Sequence, residues 1–205
     1  LKKFVFAATA AVMLAGSGAS AATLAGEFWS VAPDTIASID EAIAAVSGGT
    51  DPTTATFTST DIDYGDAGTN WDIGSLSDFL NADAGSIVGG DPYMQESVFR
   101  FTGLVSLNFG DIIDVTSDDG FRLFIDGAVL SESVGLRGPN NTTFGNWGGA
   151  SGTYTATLWY FEGNETQAQL ISNLGDFAVV PLPAGAVLML TALGGFGVMR
   201  KRRKS

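Results

Sequence analysis

Val115-Thr-Ser-Asp-Asp-Gly-Phe-Arg-Leu-Phe-Ile-Asp-Gly-Ala-Val129 is the stretch on which the fold turns. Asp118 and Asp119 stand side by side before Gly120, and Phe121, Leu123 and Ile125 then alternate with other residues, so they fall on one face of a strand. Asp126-Gly127 comes next, a dipeptide suited to the positive φ of a tight hairpin turn. Two hairpin turns so close together predict compact antiparallel sheet.

Working outward, Glu96 to Asn108 gives the strongest strand, and Asp111 to Val115 reads as its partner. Thr153 to Glu162 carries Tyr154, Ala156, Leu158 and Tyr160 on one face and Trp159 and Phe161 on the other, which predicts a central strand. Leu24 to Trp29 and Thr53 to Asp63 read as further strands, with Ala168 to Asn173 and Asp176 to Val180 completing the sheets. Ile36, Ile39, Ile43 and Val46 recur at helical spacing, predicting a covering helix over Pro33 to Ser47 that Gly48-Gly49 ends. Ser75 to Leu80 reads as a short helix capped by Ser75, with Asp78 three residues on. Gly135 to Gly152 reads as one long loop carrying Arg137, Asn140, Asn141, Phe144 and Trp147. The predicted class is mainly β: an antiparallel β-sandwich with one or two short covering helices.

Both ends have a different composition. Lys2 and Lys3, an apolar run from Phe4 to Ala15 and the small residues Ala19-Ser20-Ala21 predict a signal peptide over residues 1–21, cleaved before Ala22. The folded domain is then 22–179. From Val180-Pro-Leu-Pro-Ala184 onward an uncharged stretch, Gly185 to Met199, leads into Arg200-Lys-Arg-Arg-Lys204. The stretch is short for a stable membrane span, and the basic tail favours the cytoplasmic side.

Composition removes whole classes of chemistry. The chain has no Cys and no His, so it lacks a thiol nucleophile, an imidazole base and the commonest transition-metal ligands. Seven of its ten basic residues lie at the two ends, whereas the body from Ala22 to Ala184 holds three Arg, no Lys and all twenty-two acids, a formal charge of −19. Such a body repels phosphate backbones and anionic lipid, and it attracts divalent cations. It is also what keeps an exported Gly-rich protein in solution. No nucleophile, base and orienting group can be assembled from these residues, and the expectation is a protein that is not an enzyme. Asp61, Asp63, Asp66 and Asp72 invite a calcium loop, but they lack the register and closing Glu of an EF-hand, and a solvated loop is expected.

Ser117-Asp118-Asp119-Gly120, the Arg122 to Gly127 run and the later Tyr160-Phe161-Glu162-Gly163 together resemble the protective-antigen-type domain, a β-sandwich module of adhesins, glycosidases and toxins. Leu24 to Trp29 is similar to its entry strand. In the calcium-dependent lectins of that family two consecutive Asp hold a calcium ion that coordinates sugar hydroxyls, across a bent peptide bond. The resemblance implies that role for Asp118 and Asp119, with a third ligand from the loop after the Tyr-containing strand, here Asn164 or Glu162 at a spacing that departs from the lectin pattern. Against it stands the plain reading of Asp-Asp-Gly as a turn whose carboxylates cap backbone N–H groups.

Arg137, Phe144 and Trp147 suggest a carbohydrate-binding platform, because an aromatic face packs on the apolar face of a pyranose ring; the alternative is that they fold inward as a small satellite cluster. Val180 to Ala184, together with the apolar stretch and the basic tail, closely resembles the VPLPA-type PEP-CTERM sorting signal, the alternative being a one-pass membrane anchor. That resemblance implies a Gram-negative exported protein processed by an exosortase after transient inner-membrane anchoring. The expectations are thus a calcium-assisted carbohydrate-binding, adhesin-like protein of the cell surface or exopolysaccharide matrix, or a structural matrix protein that binds no sugar.

Overall fold

Period-two alternation of apolar side chains builds two antiparallel sheets. The computed structural model describes residues 23–48, 53–65, 74–163 and 167–179. The leader, Asn164, Asp66, Asp72 and the Val180 to Ala184 motif lie outside the described residues. The strands are β1 (Leu24–Ser30), β2 (Ala55–Ser59), β3 (Ile62–Tyr64), β4 (Ser97–Leu107), β5 (Ile112–Ser117), β6 (Phe121–Ile125), β7 (Ala128–Ser133), β8 (Asn141–Asn146), β9 (Gly152–Glu162) and β10 (Leu170–Ser172). One sheet has the order β2-β1-β4-β9-β6-β7 and the other β3-β10-β5-β8.

The principal core joins apolar side chains of both sheets. Phe28, Phe99, Phe101, Leu158 and Tyr160 come from the six-stranded sheet, and Ile62, Tyr64, Ile113, Val115 and Leu170 from the four-stranded one. Tyr64 stacks on Phe101 at 5.9 Å between ring centroids, and Phe79 meets Phe99 at 5.0 Å. Phe79 belongs to α2 (Leu76–Leu80), whose Ser75 and Asp78 form the reciprocal capping box expected of that sequence. A second cluster lies on the opposite face of the large sheet, where Trp29, Val98, Trp159 and Phe161 are covered by Ile39, Ala42 and Val46 of α1 (Ile39–Ser47). Apolar residues on both faces of β9 thus place that strand at the centre, as its sequence predicts.

Several boundaries differ from expectation for identifiable reasons. The helix starts at Ile39 and not at Pro33, because the backbone N–H groups of Asp34, Thr35 and Ile36 all donate to the buried Glu96 carboxylate instead. Ser38 then caps the helix, accepting from Glu41 N at 3.3 Å. Thr53 to Asp63 divides into β2 and β3, which enter different sheets. The supposed loop from Gly135 to Gly152 contains β8, and the segment after β10 is a 3-10 turn over Asn173–Phe177, followed by a bridge from Ala178 to Val105.

The largest correction concerns β5. It does not pair with β4; it pairs with β8 and β10 in the other sheet. The turn at Asp118-Asp119 is therefore no hairpin but a crossing, from β5 in the small sheet to β6 in the large one. Asp126-Gly127 is a true hairpin turn, with φ of 48° and 80° between the paired β6 and β7.

Candidate functional site

Three residues carry the chain from one sheet to the other. At one end Asp118 N donates to Gln169 O at 2.9 Å, and at the other Phe161 N donates to Gly120 O at 3.1 Å. Gly120 is required by space: a Cβ there would lie 2.5 Å from the Phe161 ring and 2.7 Å from Ser133 O. This crossing delivers two adjacent carboxylates to the end of the sandwich, where β9 finishes at Glu162. Asp119 is fully buried and Asp118 is 6 % exposed.

The two carboxylates are held differently. Asp119 accepts from Gly163 N at 2.7 Å and from Arg137 N at 3.2 Å, so it pins two distant loops. The Glu162 carboxyl also hydrogen-bonds it, an arrangement that needs one proton between the two groups. Tyr160 Oη in turn donates to Glu162 Oε2 at 2.9 Å. Asp118 receives no side-chain hydrogen bond among the described residues. Burial, and then the neighbouring Asp119 charge, push its carboxyl up to about 7, against the pull of Arg137. Asp119 is also raised by burial, opposed by the Gly163 and Arg137 N–H groups, Glu162 and the Arg137 charge.

The donor set suits a hard cation. Among the described residues it is oxygen only, and Asp118 has lone pairs that no described residue engages. Asp119 keeps lone pairs beyond those its N–H donors occupy. No group of three His, Cys, Asp or Glu gathers as a metal cluster among the described residues. Within the described part, further oxygens would have to come from backbone carbonyls or water. The Asp118–Asp119 peptide is trans, unlike the bent bond that the lectin resemblance implies.

The three residues expected to form one sugar platform are separated. Arg137 lies beneath the carboxylate pair: its guanidinium donates to Ser117 Oγ at 2.7 Å and Thr143 Oγ1 at 3.0 Å and sits 5.3 Å over the Phe121 ring. Trp147 packs inward on Tyr154, 4.6 Å between centroids, and its indole N–H donates to Ala150 O. Phe144 is 65 % exposed on β8, where the alternation with Thr143 and Gly145 turns it outward. Of the three, only Arg137 belongs to the carboxylate site. The roles of Ser117, Gly163 and Gln169 were invisible in sequence, because each acts through a backbone group or a contact made only on folding.

No protein-family model matches the sequence, and no curated protein does. Solved structures do match the fold. One described as "PA14 sugar-binding domain from RTX adhesin" aligns over 79% of this chain and 100% of its own, with TM-score 0.64 and 22% identity. Another, "Crystal structure of PA14 domain of MpAFP Antifreeze protein", aligns over 73% of this chain and 79% of its own, with TM-score 0.62 and 20% identity. The chain is similar to both in the arrangement of its sheets, and the antiparallel sandwich predicted from sequence is the observed fold.

Proposed function

We propose that this protein is a carbohydrate-binding, adhesin-like module in which Asp118 and Asp119 hold a calcium ion. The observation that carries the reading is the contrast between the two carboxylates: Asp119 is locked by N–H donors from two loops, while Asp118, nearly as buried, has no hydrogen-bonding partner for its carboxylate among the described residues. A buried carboxylate without a donor costs stability unless a cation or proton meets it. Calcium bound there would supply a hard Lewis-acid centre to which vicinal sugar hydroxyls can coordinate. The sugar-binding domain among the fold neighbours supports the carbohydrate-binding part of this reading, and Asn164 stands as the proposed third ligand.

Placement of the site suits display. Ala25 pairs with Thr102, and Ala178 bridges to Val105, so both ends of the described chain leave beside the same part of β4. The carboxylates lie near its Ser97 end, roughly 20 Å away at strand rise. The reading extends to delivery, with residues 1–21 as a signal peptide and the Val180, Pro181, Leu182, Pro183, Ala184 motif, apolar stretch and basic tail as an exosortase-processed PEP-CTERM signal. The protein would then reach the surface or polysaccharide matrix of a Gram-negative bacterium. The second reading, a structural matrix protein, rests on the acidity of the body and the separation of the aromatic residues expected to form one platform.

Calorimetric titration of calcium into the protein, followed by a glycan screen with calcium and with chelator, separates these. Saturable calcium uptake lost in Asp118→Asn, with glycan retention that depends on calcium, supports the lectin reading. Absence of any saturable uptake leaves the matrix role in its place.

A further inference from the structure

The acidic body contains three Arg, and two of them are committed to carboxylates. Arg100 pairs with Glu27 and lies beside the stacked rings of Trp29 and Trp159, 5.4 and 5.2 Å from their centroids. Arg122 joins Asp40 of α1 to Glu132 of β7, at 2.7 and 2.6 Å. Arg137 makes no contact ion pair among the described residues. Its guanidinium is fixed by two neutral hydroxyls and an aromatic face. Its charge nevertheless acts on both Asp118 and Asp119.

Fixing and neutralising are thus separated for one of the three Arg of the body. A guanidinium bonded directly to the carboxylates would fill their lone pairs. Held instead on Ser117 and Thr143, it offsets the repulsion between two buried anions and leaves Asp118 open. Geometry keeps it there: the backbone N–H of Arg137 itself binds Asp119, and Ser117 Oγ, which accepts from the guanidinium, donates to Asp119 O at 2.5 Å. Each member of the arrangement restrains the next.

We infer that Arg137 is the resident counter-cation of the Asp118–Asp119 pair, holding the domain folded without metal and limiting how tightly a divalent cation binds there. The second half rests on the calcium reading above; the first half does not. In this role Arg137 is a positioning residue.

A double-mutant cycle in chelator at pH 8 tests the first half. Arg137→Met should lower the Tm by roughly 5 °C or more. Asp118→Asn should restore most of that loss in the double variant, because the anion needing the counter-charge is gone. Arg137→Lys, which keeps the charge without the planar fork, should fall between. Equal losses in the Met and Lys variants, additive with Asp118→Asn, would mean that only the hydroxyl contacts matter and would overturn the inference.

Calcium titration tests the second half. Removing the positive charge should tighten calcium binding by about fivefold or more in Arg137→Met, while Arg137→Lys stays near wild type. Unchanged or weakened affinity in the Met variant overturns the affinity limit. If the wild-type protein takes up no calcium, the calcium reading and this second half fail together, and the metal-free cycle alone decides the counter-cation.

Discussion

Gly163 donates its backbone N–H to Asp119 Oδ2 at 2.7 Å across forty-four residues of sequence. The bond ties the end of β9 to the crossing between the two sheets. With the Arg137 N–H on Oδ1, it makes one carboxylate the fastener of three segments. Asp119→Ala leaves both half-buried N–H groups without this acceptor and should cost about 1–3 kcal/mol. Asp119→Asn, which keeps an acceptor, should cost less. Urea unfolding of the metal-free protein checks the order, and an Ala variant as stable as wild type would contradict it.

Asp118 should behave in the opposite sense. Its folded-state pKa of about 7 lies above the ordinary 3.8, so the folded chain binds the proton more tightly than the unfolded chain does. The stabilisation is fully present below about 3.8 and is lost as pH rises through about 7. Metal-free protein should therefore melt at a higher temperature at pH 5 than at pH 8. Asp118→Asn should flatten that part of the profile, and calcium should raise the Tm more at pH 8 than at pH 5. Identical profiles for the wild type and the Asn variant would remove Asp118 as the source.

Gly120→Ala puts a methyl group against the Phe161 ring and two backbone carbonyls, those of Ser133 and Val134. The backbone cannot yield as a flexible side chain would, so a loss of about 1–3 kcal/mol is expected. Thermal melts measure it, and a change within the noise would show that the crossing has slack.

Phe144 and Trp147 should separate in mutagenesis. Trp147→Ala removes a ring packed on Tyr154 and should cost about 1–3 kcal/mol, whereas exposed Phe144→Ala should stay within about 0.5 kcal/mol. Neither should abolish calcium uptake. Loss of saturable calcium binding in Phe144→Ala, with the fold intact, would contradict this separation.

The local features were legible because their causes are local. Asp126-Gly127 announced its hairpin through a dipeptide that tolerates positive φ, and Ser75 with Asp78 announced a capping box. The apolar residues on both faces of β9 likewise announced a central strand. The helix boundary at Ile39 was hidden, since it depends on Glu96, about sixty residues away, taking up the N–H groups before it. Strand β8 was hidden too, its Gly and Asn content reading as loop until pairing with β5 supplied the missing stability.

By itself the sequence determined the antiparallel β class, the acidic body free of His and Cys, and the adjacent carboxylates, all of which are properties of composition and short-range pattern. Tertiary structure decided that Asp118-Asp119-Gly120 crosses between sheets and does not close a hairpin. A turn's residues state how the chain can bend, but they do not state which sheet each flank will join. It also decided that Arg137 lies under the carboxylates while Trp147 turns inward and Phe144 outward. That division comes from strand alternation on β8 and from hydroxyls and N–H groups that meet only once the two sheets are packed.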